Sequence, residues 1–252
     1  MRVIPLGLNL VARTRLEYPP ARIPVLSQIG HVLAMSVTML SHRVIFANMN
    51  SAVLQIIVLI LSATLHEVAH GYVAYALGDP TAKYAGRLTL NPLVHLELVG
   101  SFLLPLGLYI LSGGAFVFGW AKPVPYNPYN LKAGKWGPSI VAVAGPLTNL
   151  LLALVFGLIV RLGITNLSEP FIAVAILIVY LNCLLAIFNL IPIPPLDGSK
   201  ILFTLIPTKV VAIEEFFGKY QFAVLILFIF FGWRIVAVPT TIIFRLITGI
   251  AI

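Results

Sequence analysis

Apolar residues in this chain come in long blocks separated by shorter polar stretches. Four blocks approach the about 20 residues that a membrane-spanning helix needs: Ser51–Leu77, Pro138–Leu162, Phe171–Ile193 and Tyr220–Val238. A fifth, Leu98–Phe118, is interrupted by Pro105, Gly107 and the Ser112-Gly113-Gly114 cluster. Those breaks fit a re-entrant hairpin as well as a full crossing. The tail Pro239–Ile252 is apolar but too short to span by itself. Between the blocks, "GDPTAKYAGRLTLNPLVHLELVG" holds a short alternating run, Gly86–Leu90, which predicts a small β-hairpin or sheet near the membrane surface. The next loop, "GWAKPVPYNPYNLKAGKWGP", is too rich in Pro and Asn for a long helix.

The fold class that follows is an all-α polytopic membrane protein, a bundle of about 4–6 transmembrane helices with a re-entrant or short hairpin segment. Residues 49–252 form one membrane-embedded domain. Residues 1–48 stand apart: they carry Arg2, Arg13, Arg15, Arg22 and Arg43 and a Pro19-Pro20 pair. They read as a mobile N-terminal arm, or as sequence upstream of a start at Met49.

Composition strengthens this reading. Apolar residues are 60% of the 252, charged residues 10%, and the mean hydropathy is +1.04. A soluble exterior needs far more polar surface, so a soluble enzyme, a nucleic-acid-binding domain and a disordered chain are all excluded. The net charge of +8 then reflects Lys and Arg in cytoplasmic loops rather than a polyanion partner. The lone Cys183 allows no intrachain disulfide.

Ionisable groups inside the apolar blocks are where chemistry is expected. "HEVAH" puts His66 and His70 at i and i+4, on one helix face and about 6 Å apart. Two imidazoles at that spacing can share one Zn²⁺, with Glu67 beside them as general base. The plainer reading is two satisfied histidines in a bundle, against which stands the cost of about 2.5–3.5 kcal/mol for each charged group at the bilayer centre. A catalytic zinc needs a third protein ligand and an open fourth position. Asp197, in "NLIPIPPLDGSKIL", is the other acid attached to a membrane-embedded segment. The prolines before it prevent a regular helix, and an unwound segment can aim a carboxylate at a metal. Its alternative is to cap a short helix from Gly198 onward.

With these motifs in hand, the chain resembles the site-2 protease family (peptidase family M50), membrane-embedded zinc metalloproteases that cut transmembrane substrates. "HEVAH", "AGPLTN" and "NLIPIPPLDG" occur in that family's order on three separate segments, and "GDPTAKYAGRLTLNPLVHLE" and "FGWAKPVPYNP" resemble its compact bacterial and archaeal branch. The likeness covers about Met49 to Lys200. It implies one Zn²⁺ per chain on His66, His70 and Asp197, with Glu67 as the base. It also matches Asn149 to a conserved amide that would hold the substrate carbonyl or the developing oxyanion, the alternative being an interhelical hydrogen bond. Asn189 and Pro192–Pro195 match a segment that receives unwound substrate.

Other polar residues read as structural. His95 reads as a loop histidine, Asp79 and Arg87 as pairing or capping in the first loop. Glu97, Glu169, Glu214 and Glu215 read as solvated segment ends, and Trp120 and Trp136 as interfacial. Lys83, Arg87, Lys122, Lys132 and Lys135 flank the fifth block on both sides. If both loops are cytoplasmic, that block enters and leaves on one face, and the three motifs converge in the cytoplasmic half of a multi-pass cell-membrane protein. Lys200, Lys209 and Lys219 continue the bias; Arg161 is the misfit. The expected partners are a transmembrane protein substrate, the lipid bilayer and a regulatory membrane partner, with no nucleic acid. The competing function is a metal transporter using the same His/His/Asp site, which would leave Glu67 without a task and calls for inverted repeats that the sequence does not display.

Overall fold

The computed structural model describes residues 49–111, 119–163, 167–206 and 211–250. The expectations for residues 1–48 and for the Ser112-Gly113-Gly114 break lie outside them, as do those for Lys209 and the side chains of Glu214 and Glu215. Seven longer helices are described: α1 (Met49–Ala76), α2 (Leu104–Leu111), α3 (Gly137–Gly163), α4 (Glu169–Asn189), α5 (Asp197–Leu205), α6 (Val211–Phe231) and α7 (Trp233–Thr248). There is no strand among the described residues. Three helical stretches are long and apolar enough to cross a membrane, Val53–Ala76, Gly134–Gly163 and Glu169–Asn189. A fourth is added if the bent pair α6–α7 counts as one span.

α3 is the centre of the bundle, packing against α1, α4, α5 and α7. Its inward face is built from small residues, among them Ala142, Ala144, Gly145, Ala153 and Gly157. Large ones such as Leu147, Leu151, Leu154 and Val155 face outward. Lipid tails are as apolar as leucine, so large side chains gain nothing by turning inward, and close backbone approach supplies the packing instead. At Gly157 a Cβ would collide with Ile247 of α7. Ala153 and Val160 of α3, Ala175, Val179 and Cys183 of α4 and Phe244 of α7 form the apolar half of this core.

The expected single helix over Tyr220–Val238 is two helices. The chain breaks at Gly232, between α6 and α7, and their axes differ by 64°. Glycine is a poor helix former, and here a Cβ would strike the Phe228 ring and carbonyl. The apolar tail therefore belongs to α7 rather than standing alone.

The described flanks of the fifth block meet. A π-helical turn, Val99–Leu103, leads into α2. Thirteen helical residues reach only about 20 Å, short of the about 30 Å hydrocarbon core. Beyond the undescribed stretch, the Trp120 amide donates to the Gly100 carbonyl at 3.0 Å, and the Ser101 hydroxyl donates to the Trp120 carbonyl at 3.0 Å. The two ends of the block are thus side by side. Glu97, expected to be solvated, is half-buried in this neck and accepts from the Gly100 amide and the Trp120 indole. That bond takes the Trp120 nitrogen away from an interfacial role, because a half-buried indole N–H and carboxylate are each better satisfied by the other.

The predicted sheet at Gly86–Leu90 is absent. Gly86 adopts a left-handed φ of +66°, and the Thr89 carbonyl that a partner strand would use accepts from His95 Nε2 at 2.9 Å. Asp79 and Arg87 do not pair with each other. Asp79, fully buried, accepts from the Thr81 hydroxyl (2.6 Å), the Asn127 amide (2.6 Å) and Asn130 Nδ2 (2.9 Å). Arg87 donates to the Lys122 carbonyl at 2.6 Å. Residues 119–126 run extended beside these contacts, with the amides of Trp120, Lys122 and Val124 bonded to the rest of the fold and the Pro123 carbonyl also accepting from Arg87 at 3.5 Å. Trp120 bonds to Gly100, Lys122 donates to the His95 carbonyl at 2.8 Å, and Val124 donates to Glu67 of α1 at 2.8 Å.

Burial pushes the Asp79 carboxyl up, but the hydrogen bonds from Thr81, Asn130 and Asn127 outweigh it and hold the group below its ordinary 3.8. A depressed carboxylate contributes stability above its unfolded value and loses it as pH falls toward the folded one. Asp79→Asn, which turns an acceptor into a donor facing donors, is expected to cost about 1–3 kcal/mol at neutral pH. Thermal unfolding in detergent should show the gap between variant and wild type closing below pH 4.

Candidate metal centre

Two residues of α1 and one of α5 meet in the polar half of the core. His66, His70 and Asp197 are 6%, 7% and 6% exposed. His66 Nε2 lies 3.0 Å from His70 Nε2, and Asp197 Oδ2 lies 3.1 and 3.0 Å from them respectively. The imidazoles stand nearly perpendicular, at 88°. Asp197 is the first residue of α5 and makes no cap; Leu196 holds the N-cap position. Carbonyls of Leu190 and Ile191 occupy the space that a Cβ on residue 198 would need, so only glycine fits behind the carboxylate.

The protons can be assigned by following the chain of bonds. His70 Nδ1 faces the Val141 carbonyl at 2.7 Å, which can only accept, so this nitrogen carries the hydrogen. His66 Nδ1 faces Asn149 Oδ1 at 2.6 Å. Asn149 Nδ2 donates to Asn182 Oδ1 at 2.8 Å, and Asn182 Nδ2 donates to the Ile178 carbonyl and to Ser62 Oγ, each at 2.9 Å. The Ile178 carbonyl fixes the Asn182 amide, which fixes the Asn149 amide, which makes His66 Nδ1 a donor too. In the neutral rings, both Nε2 atoms therefore present lone pairs to each other and to a carboxylate oxygen. Three acceptors about 3 Å apart, shielded from water, need a cation between them. Zinc bonds of about 2.0–2.2 Å in tetrahedral geometry set donors about 3.3 Å apart, so the cluster fits the ion with a slight opening. Outer-shell carbonyl and amide partners of this kind set the tautomer and ring orientation of zinc-binding histidines.

The other expected residues fall nearby with different tasks. Glu67 lies outside the three-donor group, and its Oε2 accepts from the Val124 amide at 2.8 Å. Asn149 is fully buried: its Oδ1 faces His66 Nδ1, and one of its two amide hydrogens goes to Asn182 Oδ1, an interhelical bond. Asn189 donates to the Leu185 carbonyl at 2.9 Å, half-buried above the unwound Leu190–Leu196 stretch. His95 stays in its loop, as expected. The sequence reading missed three residues. Asn182 was visible as an amide inside an apolar block, and Lys200, one turn beyond Asp197, as a charge beside a suspected ligand. Gly145, inside "AGPLTN", gave no sign of its place: a Cβ there would lie 2.5 Å from His66 Nε2 and His70 Nε2.

That contact makes Gly145→Ala a sharp test. The methyl would occupy the space between the donor nitrogens and α3, and a loss of the bound metal is expected with the helical content unchanged. Metal analysis of the purified variant, beside circular dichroism, reads both.

Comparison with known proteins gives relatives that carry the name "Putative zinc metalloprotease", among them the following three. YwhC of Bacillus subtilis is 40% identical over 185 residues, 69% of this chain and 79% of that protein. Rip2 of Mycolicibacterium smegmatis is 34% identical over 144 residues, 55% of this chain and 52% of that protein. MJ0611 of Methanocaldococcus jannaschii is 29% identical over 178 residues, 68% of this chain and 82% of that protein. The description "Peptidase family M50" matches residues 163–232, which include Asp197. No solved structure matches the chain. A membrane-type helical bundle, a buried His/His/Asp cluster suited to one zinc ion and this relatedness agree: the chain belongs to peptidase family M50, the site-2 protease family of zinc metalloproteases.

Proposed function

We propose that the chain is an intramembrane endopeptidase, cutting peptide bonds in or near transmembrane segments of other proteins, with His66, His70 and Asp197 as its zinc ligands. The observation that carries this reading is the convergence of three buried donor atoms, from His66, His70 and Asp197, inside a bundle of apolar helices, with a carboxylate, Glu67, one residue from the first. When bound, zinc would supply Lewis-acid activation of a water and of the scissile carbonyl. Glu67 takes the proton of that water and returns it to the leaving amine. The Val124 amide holds the carboxylate in one orientation for both transfers. Asn149 keeps His66 turned toward the metal, and Asn182 and Ser62 keep Asn149 in place.

The site sits in the half of the membrane that faces the Lys-rich loops. His66 is about 15 Å from the Ala76 end of α1, and Asn149 is about 18 Å from the start of α3. Both of those helix ends adjoin the loops bearing Lys83, Lys122, Lys132 and Lys135, which the positive-inside rule assigns to the cytoplasm. Water must reach the site, and the Lys200 side chain, 35% exposed beside the buried Asp197, marks its most open side. The substrate helix must unwind to bring a peptide bond to Glu67. Its choice rests on the membrane core or on a regulatory membrane partner.

The test is Glu67→Gln in detergent-purified protein, with zinc content and cleavage of a model transmembrane substrate measured together. Zinc should stay at one per chain while cleavage falls at least about 100-fold, the contribution of a general base. Undiminished cleavage would remove Glu67 from the reaction. Metal flux into vesicles that survives the substitution would favour a transporter.

A further inference from the structure

The two oxygens of Asp197 are divided between two kinds of partner. Oδ2 faces both imidazoles, while Oδ1 accepts from Lys200 Nζ at 3.0 Å. Resting on the metal-centre reading above, we infer that Lys200 is a positioning residue that holds Asp197 to the metal through one oxygen, keeping a coordination position open for water and substrate. A carboxylate free to bind through both oxygens would fill the position that a hydrolytic zinc leaves unoccupied by protein. To take Oδ1 as well, the ion would have to displace a charge-assisted hydrogen bond, roughly twice as strong as a neutral one.

The surroundings of Lys200 are built to keep it there. Its own carbonyl accepts from the Thr204 hydroxyl at 2.9 Å, and the Ser139 hydroxyl of α3 donates to Thr204 in turn. This ties the first turn of α5 to the helix that backs the metal donors. The ammonium lies over the Tyr126 ring, 5.8 Å from its centroid, at the end of the extended segment that holds Glu67. A solvent-exposed i,i+3 pair has little effect, but here the carboxylate is buried and one of its oxygens already serves the histidines.

Cobalt substituted into the full-length protein in detergent reads coordination number directly, because four-coordinate cobalt absorbs visible light more strongly than five-coordinate cobalt. In Lys200→Met, cobalt should remain bound at one per chain, with a weaker visible band moved to shorter wavelength. Cleavage by the zinc form should fall about 10–100-fold, the usual effect of losing an outer-shell partner. Lys200→Arg, which can still donate to Oδ1, should restore the wild-type spectrum. Lys200→Ala, read the same way, decides the matter if the methionine variant does not fold. An unchanged spectrum with cobalt fully bound would overturn the inference, as would loss of the metal, which would mean that Lys200 delivers the ligand rather than limiting it. A wild-type protein that binds no cobalt would instead overturn the metal-centre reading itself.

Discussion

Everything in the polar half of this bundle follows from the cost of leaving lone pairs unmatched where there is no water. Two imidazoles on α1 spend their Nδ1 hydrogens on Val141 and Asn149, so that Nε2 of each neutral ring is bare and faces Asp197. The arrangement is set from outside the site. A main-chain carbonyl of α4, at Ile178, orients one amide, that amide orients a second, and the second orients a histidine. Three helices are thus bound together by the same bonds that ready the donors for an ion. Each member is buried, so an error at any link leaves an unpaired polar group in a low-dielectric interior.

Small residues make that convergence possible. α3 can lie against α1 at the depth of the histidines because position 145 has no side chain, and against α7 because position 157 has none. The glycine behind Asp197 serves the same purpose for the unwound stretch, admitting two carbonyls where a methyl would stand. Membrane helices have no hydrophobic gain from meeting, so the sites of closest approach decide how they meet.

Much of this was legible in the sequence, and what was not has physical causes. The helix period places His66 and His70 on one face, and an acid after three prolines is too costly near a membrane to be idle. That the two flanks of the fifth block lie together could be argued from the lysines on both sides. Asn182 escaped because an amide in an apolar helix has no partner until the fold supplies one. Counting apolar residues joined α6 to α7 because a count does not register that Gly232 bends the chain. The alternation at Gly86–Leu90 suggested a strand, but His95 claims the Thr89 carbonyl, and side-chain bonds of that kind compete with ladder bonds without leaving a pattern in the sequence. The role of Asn149 divided between oxyanion and interhelical bond for the same reason: its neighbours come from distant parts of the chain.

Along the extended segment beside Glu67, the amides of Trp120, Lys122 and Val124 are all engaged by the rest of the fold. The residues that alternate with them are Ala121, Pro123 and Pro125, and two of those three have no N–H to offer. Prolines placed this way block ladder formation with an incoming strand. The segment is a finished border, able to brace the site without recruiting a second copy of itself, so this strand-like stretch is protected from the edge-to-edge aggregation that threatens unpaired strands.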